Sequence, residues 1–167
     1  MAKNIGKIFE EEIKNSVSKE HWYYRFKDGT AAYNKDIENK KVRFQAKNIC
    51  DCQVMANDKL FLLELKNTKG SSLPISNIKS NQVEGLSGIG HKNIEAYFII
   101  CFREKEKCYA VQAIKIKRFI ESKERKSIPM DWCIENGIDV PMIKKKVRYK
   151  YDLDVLFNWR GDKHVIA

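Results

Sequence analysis

The run Leu60-Phe61-Leu62-Leu63-Glu64-Leu65-Lys66 limits the folds open to this chain more than any other stretch. Strand side chains alternate between two faces, and this run is apolar on both. A segment of this length, greasy on both sides, fits a central strand that is covered above and below. Glu64 and Lys66 then point to the same face. An acid and a base on a covered face cost free energy unless something uses them.

The residues before this strand supply a partner for Glu64. Asn48 to Met55 and Lys59 to Lys66 read as two strands joined by Ala56-Asn57-Asp58-Lys59, where Asn and Asp tolerate turn conformations. A two-residue Asn57-Asp58 loop pairs Ala56 with Lys59 and sets Asp51 opposite Glu64. Directly opposed residues share a face, with Cβ atoms about 4.5–5.5 Å apart. A slip of one residue would send Asp51 to the other face. Two carboxylates this close repel unless a cation sits between them. Asp51 and Glu64, with the backbone carbonyl of Leu65, are therefore the candidate ligands for Mg²⁺, with Mn²⁺ as an alternative. Lys66 on the same face is the candidate to orient or activate an attacking water, or to stabilise charge on a phosphate. The bland alternative is a cross-strand ion pair on a solvated face.

Charge narrows the partner. The 167 residues carry 32 Lys+Arg against 22 Asp+Glu, a net charge of +10. That excess points to a polyanion, and the pattern as a whole to DNA or RNA. No apolar run reaches the length of a membrane span. The N-terminus starts directly with helix-like sequence and shows no secretion signal, so a cytoplasmic location is expected. The five cysteines (Cys50, Cys52, Cys101, Cys108 and Cys133) include no C-x-x-C, and buried free thiols are expected of them.

The rest of the chain reads as one domain over 1–167. Ile5, Ile8, Phe9, Ile13 and Val17 form a helical stripe between about Asn4 and Ser18. Trp22 to Phe26 suits a strand. Residues 30–47 are polar and basic and read as an excursion, a short projecting arm. Asn67 to Ser72 reads as a polar loop, and Asn77 to Leu86 as a helix. Ala96 to Phe102 is a buried strand, Cys108 to Ala113 its returning partner, and Ile114 to Ile120 a short basic helix. Strand, helix and strand between 60 and 102 predict a parallel crossover, while the hairpins add antiparallel strands. The expected class is α/β, a central mixed β-sheet flanked by helices. Lys40, Lys41, Arg43, Lys47, Lys69 and Lys79 are candidate phosphate contacts. The basic clusters at 115–126 and 144–150 read as solvated faces able to meet phosphate. Trp132, Phe157 and Trp159 read as core or dimer contacts.

The segment Glu64-Leu-Lys-Asn-Thr68, then Ser72-Leu-Pro-Ile-Ser-Asn77, then Gln82-Val-Glu-Gly-Leu86 resembles the RecU family of Holliday junction resolvases. Asn4-x-Gly6-x-x-Phe9-Glu10-x-x-Ile13 is similar to that family's N-terminal helix motif. The strand Tyr97–Phe102 and its partner match in order, and the resemblance covers most of residues 4–120. Leu73 stands where the family usually has an aromatic, and Lys79, Ser80 and Asn81 where it has histidines. The resemblance implies a restriction-endonuclease-like fold and a homodimer that resolves four-way DNA junctions in recombination and repair. It assigns catalytic roles to Asp51, Glu64 and Lys66, adds Glu10 from the first helix, and places Thr68 and Gln82 near the site. The excursion at 30–47 would be the stalk pushed into the junction centre. A divergent, phage-encoded member is one reading of the departures. On a helical wheel Glu12 falls inside the apolar stripe and Glu10 at its edge, so the wheel and the motif favour different acids. Two rivals remain: a restriction- or repair-type nuclease on duplex or flapped DNA, and a catalytically silent DNA-binding module of the same fold.

Overall fold

The computed structural model describes residues 4–26 and 47–160. The expected arm at 30–47 therefore lies outside the described residues apart from Lys47, and Lys40, Lys41 and Arg43 lie outside them too.

The helix α1 (Ile5–Ser16) starts on the Asn4 side chain, which accepts the Lys7 N–H at 3.4 Å. Its stripe buries Phe9 and Ile13. The strand β1 (Trp22–Arg25) pairs antiparallel with β2 (Cys52–Ala56), which pairs antiparallel with β3 (Lys59–Thr68). Asn57 and Asp58 have φ of 51° and 60°, both left-handed, so the connection is a two-residue turn whose twist suits a hairpin. Ala56 pairs with Lys59 and Cys52 with Leu63, the register expected from the sequence.

β3 runs parallel to β5 (Ile94–Phe102), which turns back through β6 (Lys107–Gln112) to β8 (Ile138–Asp139). The six-stranded mixed sheet has the order β1-β2-β3-β5-β6-β8. Between β3 and β5 the chain forms α2 (Ser80–Ser87), preceded by a 3-10 turn at Ile75–Asn77. The helix α3 (Ala113–Glu121) follows β6.

Each face of the sheet carries a core. Phe61, Leu63 and Leu65 of β3 pack with Phe9 and Ile13 of α1, and with Tyr151, Leu156 and Phe157. Those last residues belong to β10 (Tyr149–Tyr151), which pairs with β9 (Met142–Lys144), and to α5 (Asp154–Phe157). The other face buries Leu62, Phe98 and Ile100 against Val83 and Leu86 of α2, Ile116 of α3 and Cys133 of α4 (Met130–Asn136). Even positions of β3 thus face α2, and odd positions face α1. This is a restriction-endonuclease-like fold. All five cysteines are free and buried, as expected.

The structure corrects one local expectation. The stretch read as a polar loop at Asn67–Ser72 is shorter, because β3 continues to Thr68 and β4 (Ser72–Pro74) pairs with β7 (Ser127–Pro129). The Thr68 hydroxyl donates to the Ser72 carbonyl at 3.0 Å and closes that tight loop. Trp159 is half exposed, whereas Phe157 is buried and Trp132 packs on Phe119 with ring centroids 4.7 Å apart.

Candidate active site

Glu64 is 1% exposed, on the face of β3 that α2 covers. Its Oε1 accepts from Gln82 Nε2 at 2.6 Å and from Lys66 Nζ at 2.8 Å. Lys66 Nζ also donates to Gln82 Oε1 at 3.1 Å. Gln82 therefore grips acid and base at once, from a helix. The same amide oxygen accepts the Lys79 N–H at 3.2 Å, which fixes the amide's orientation and caps the start of α2. The other carboxylate oxygen of Glu64, Oε2, is buried and has no hydrogen-bond partner among the described residues. Buried oxygens of ionised carboxylates are rarely left so.

Asp51 enters β2 at the point where the ladder begins. Its N–H donates to Leu63 O at 3.1 Å, its carbonyl accepts from Phe26 N–H at 2.9 Å, and its Oδ2 accepts from Leu65 N–H at 2.7 Å. The carboxylate thus sits against the backbone of Glu64-Leu65. Burial pushes the Glu64 carboxyl up from its ordinary 4.5 to about 7, and the Asp51 charge adds to the rise. Lys66 and Gln82 oppose it. Burial and a neighbouring acid together disfavour the Glu64 charge, an arrangement that suits a cation site.

The approach to α2 of the segment just before Asp51 depends on a glycine. A Cβ on Gly85 would lie 2.5 Å from Ile49 Cγ2. The bare backbone there lets Ile49 lie against α2. Asn81 Nδ2 donates to Asn48 O at 3.3 Å and ties the same segment to the helix start.

The other expected residues are placed as follows. Leu65 turns its side chain into the opposite core and presents only backbone to Asp51. Thr68 ends β3 and Gln82 lies in α2, and Gln82 alone of the two touches the acid–base pair. Lys47, Lys69 and Lys79 are exposed. Glu10 is ion-paired with Arg25 and borders an open groove of about 470 Å³ between α1 and β1, which neither Asp51 nor Glu64 lines. Glu12 is the buried acid of α1, as the wheel indicates, and its partners are structural. It accepts from Arg103 at 2.8 and 3.1 Å, from the Tyr149 N–H at 3.1 Å and from the Tyr151 hydroxyl at 3.3 Å. In the basic clusters, Lys117 pairs with Glu84, Lys144 with Glu106 and Arg148 with Glu11. Among the described residues, no three His, Cys, Asp or Glu side chains gather as a metal cage. Nor is any described helix long and apolar enough to cross a membrane.

The double grip of Gln82 was not deducible from residue types alone. Its one signal in the sequence is a polar residue beside the buried stripe Val83 and Leu86. The Arg25 partner of Glu10 and the Gly85–Ile49 contact had no local signal.

A mixed sheet with an acid pair on adjacent strands, and a lysine two residues beyond the second acid, places the protein in the restriction-endonuclease-like class. The family model described as Recombination protein U matches residues 4–154. The SPbeta prophage-derived uncharacterized protein YotM of Bacillus subtilis (strain 168) is 34% identical over 172 residues, covering 93% of this chain and 86% of that protein. The chain belongs to the RecU family, a family of recombination-related nucleases. The reading of a divergent, phage-type member agrees with both findings.

Proposed function

We propose that this protein is a metal-dependent DNA endonuclease that resolves four-way junctions by paired phosphodiester hydrolysis as a homodimer. The observation that carries the proposal is the buried Oε2 of Glu64, without a partner among the described residues, in a carboxylate that feels the Asp51 charge and is held ready by Lys66 and Gln82. The donor set fits Mg²⁺ or Mn²⁺. Asp51, Glu64 and the Leu65 carbonyl would hold the ion, and waters and a substrate phosphate would fill the remaining positions, as is usual for Mg²⁺. When bound, the ion lowers the pKa of water and offsets charge gathering on the phosphate.

The chain's own residues do the rest. Lys66 keeps its ammonium in a position 13% exposed, close enough to the surface to meet a phosphate and still anchored on Glu64. Its hydrogen bonds orient the attacking water or stabilise negative charge on the phosphate oxygens. Hydrolysis joins the water oxygen to phosphorus, breaks one P–O ester bond and returns a proton to the leaving oxygen. Gln82 fixes both side chains, so little reorganisation is required at the moment of reaction. Glu10 is proposed as a further acidic contributor from α1. Lys40, Lys41, Arg43, Lys47, Lys69 and Lys79 are proposed to contact phosphates, which the net charge of +10 favours.

The test compares a labelled four-way junction, a linear duplex and a flapped duplex, each with purified protein and Mg²⁺. Preferred cutting of the junction, lost in Glu64→Ala while binding persists, is the expected result. Equal cutting of all three would shift the assignment to a restriction- or repair-type nuclease. Binding with no cutting of any substrate over a range of salt would leave a silent DNA-binding module.

A further inference from the structure

β1 is the end strand of the sheet, and its outer positions carry aromatic rings. Trp22, Tyr24 and Phe26 share one face. The Trp22 and Tyr24 rings are stacked, with centroids 6.0 Å apart and planes inclined by 12°. Tyr24 meets Phe26 edge-on at 5.5 Å. Trp22 is 54% exposed and Tyr24 45%, and Met55 beside Trp22 is 44% exposed. Exposed large side chains occur singly on most proteins; three in one patch mark an interaction surface.

The patch leads somewhere. Tyr23 packs toward the α1 core and Phe26 toward the α2 core, so the Trp22–Tyr24–Phe26 row is on the same face of the sheet as Glu64. Trp22 pairs with Met55 and Tyr24 with Gln53. The next step is the Phe26 N–H on the Asp51 carbonyl at 2.9 Å. The row of rings therefore ends beside the first acid of the candidate site. Exposed Lys47 and Lys79 lie at this same end, where Asn81 ties the start of α2 to Asn48.

We propose that the Trp22–Tyr24–Phe26 row is a stacking platform for unpaired bases of a DNA strand whose backbone continues into the Asp51–Glu64 site. The proposal rests on the nuclease reading for its direction and adds the kind of DNA that reading leaves open. Flat rings stack on any base without choosing among them, and flanking ammonium groups follow the phosphates. A strand leaving a branch point or a flap offers unpaired bases next to a scissile phosphate. The row would hold them along the β1 edge of the sheet.

The experiment measures binding of a short fluorescein-labelled oligothymidylate by anisotropy, in EDTA so that no cutting occurs. A matched abasic oligonucleotide serves as the second probe. Wild type is expected to bind the thymidine strand more tightly than the abasic one. Trp22→Ala/Tyr24→Ala should lose about tenfold or more on the thymidine strand and bind both probes alike. Trp22→Phe/Tyr24→Phe keeps the ring faces and should bind near wild-type strength. Melting curves check that each variant is folded, and sedimentation gives its oligomeric state. Equal binding by wild type and the alanine variant, or no preference of wild type for bases over abasic strand, overturns the proposal. So does dissociation of a wild-type dimer by the alanine variant, which would assign the rings to contact between copies. Because nothing here depends on cleavage, a protein that cuts no DNA yet loses base binding in the variant would sink the nuclease reading and leave the platform standing.

Discussion

Replacing Glu64 with glutamine should make the metal-free protein more stable at alkaline pH. The folded protein holds the Glu64 carboxyl at about 7 against an ordinary 4.5, through burial and the neighbouring Asp51 charge. A raised carboxyl pKa means that the folded state prefers the protonated form. The associated stability is fully present below about pH 4.5, and it drains away as pH rises through about 7. The full difference corresponds to about 3 kcal/mol, and relaxation around a buried ionised group reduces it; about 1–3 kcal/mol is the working range. The Glu64→Gln amide keeps the shape, keeps an oxygen for Lys66 and Gln82, and does not titrate. Melting midpoints of wild type and variant should therefore converge below about pH 4.5 and separate by about 2–12 °C near pH 8, at about 2–4 °C per kcal/mol for a chain of this size. Added Mg²⁺ should then reverse the order. An ion that binds only the folded wild type adds about 2.7 kcal/mol at a hundredfold excess over its Kd, while Glu64→Gln gains little. Midpoints followed by circular dichroism, with and without Mg²⁺, read both effects. Parallel pH curves for the two proteins would refute the assignment of strain to the Glu64 charge. An equal Mg²⁺ shift in both would refute Glu64 as a ligand.

Three further outcomes follow from the geometry. Gln82→Leu fills the same space but releases Glu64 and Lys66, so kcat on a junction substrate should fall about tenfold or more with little change in KM; a rise in KM with kcat unchanged would mean that Gln82 binds DNA instead. Glu12→Ala leaves Arg103 without its buried partner and should destabilise the fold by about 3–5 kcal/mol, visible in urea denaturation; unchanged stability would contradict the structural role of that acid. Gly85→Ala gains helix propensity but forces Ile49 outward, so junction cleavage should drop more than the melting temperature does. A variant fully active with Ile49 undisturbed by NMR would show that the close approach does not position Asp51.

The acid pair was legible because it depends on counting. The Asn57-Asp58 turn could be recognised from its residue types, and the left-handed φ at both positions then fixed the register that sets Asp51 across from Glu64. The central position of β3 was equally visible, since residues apolar on both sides of a strand leave few alternatives. The chain after α3 was much less so. β7, β8, β9 and β10 are two or three residues long, and they are strands only because distant segments pair with them. Such short elements carry no period of their own. Glu12 shows the same limit in one residue. Its place in the apolar stripe was evident, but the Arg103, Tyr149 and Tyr151 groups that make burial tolerable come from far along the chain. Gln82 lies between the two cases: its helix was legible, and its two-handed hold on acid and base required the tertiary fold.

The hydrogen bond from Phe26 to Asp51 sets two residues far apart in sequence side by side on the rim of the sheet. The antiparallel β1–β2 ladder holds those two points together. Lengthening a chain between two points so joined adds only weakly to the entropic cost of folding, about 0.6 kcal/mol for each doubling. Asp51, Glu64, Lys66 and Gln82 all follow that stretch in sequence, and Glu10 precedes it. Its length can therefore change at little cost in stability while the acid pair, its lysine and its glutamine stay in register.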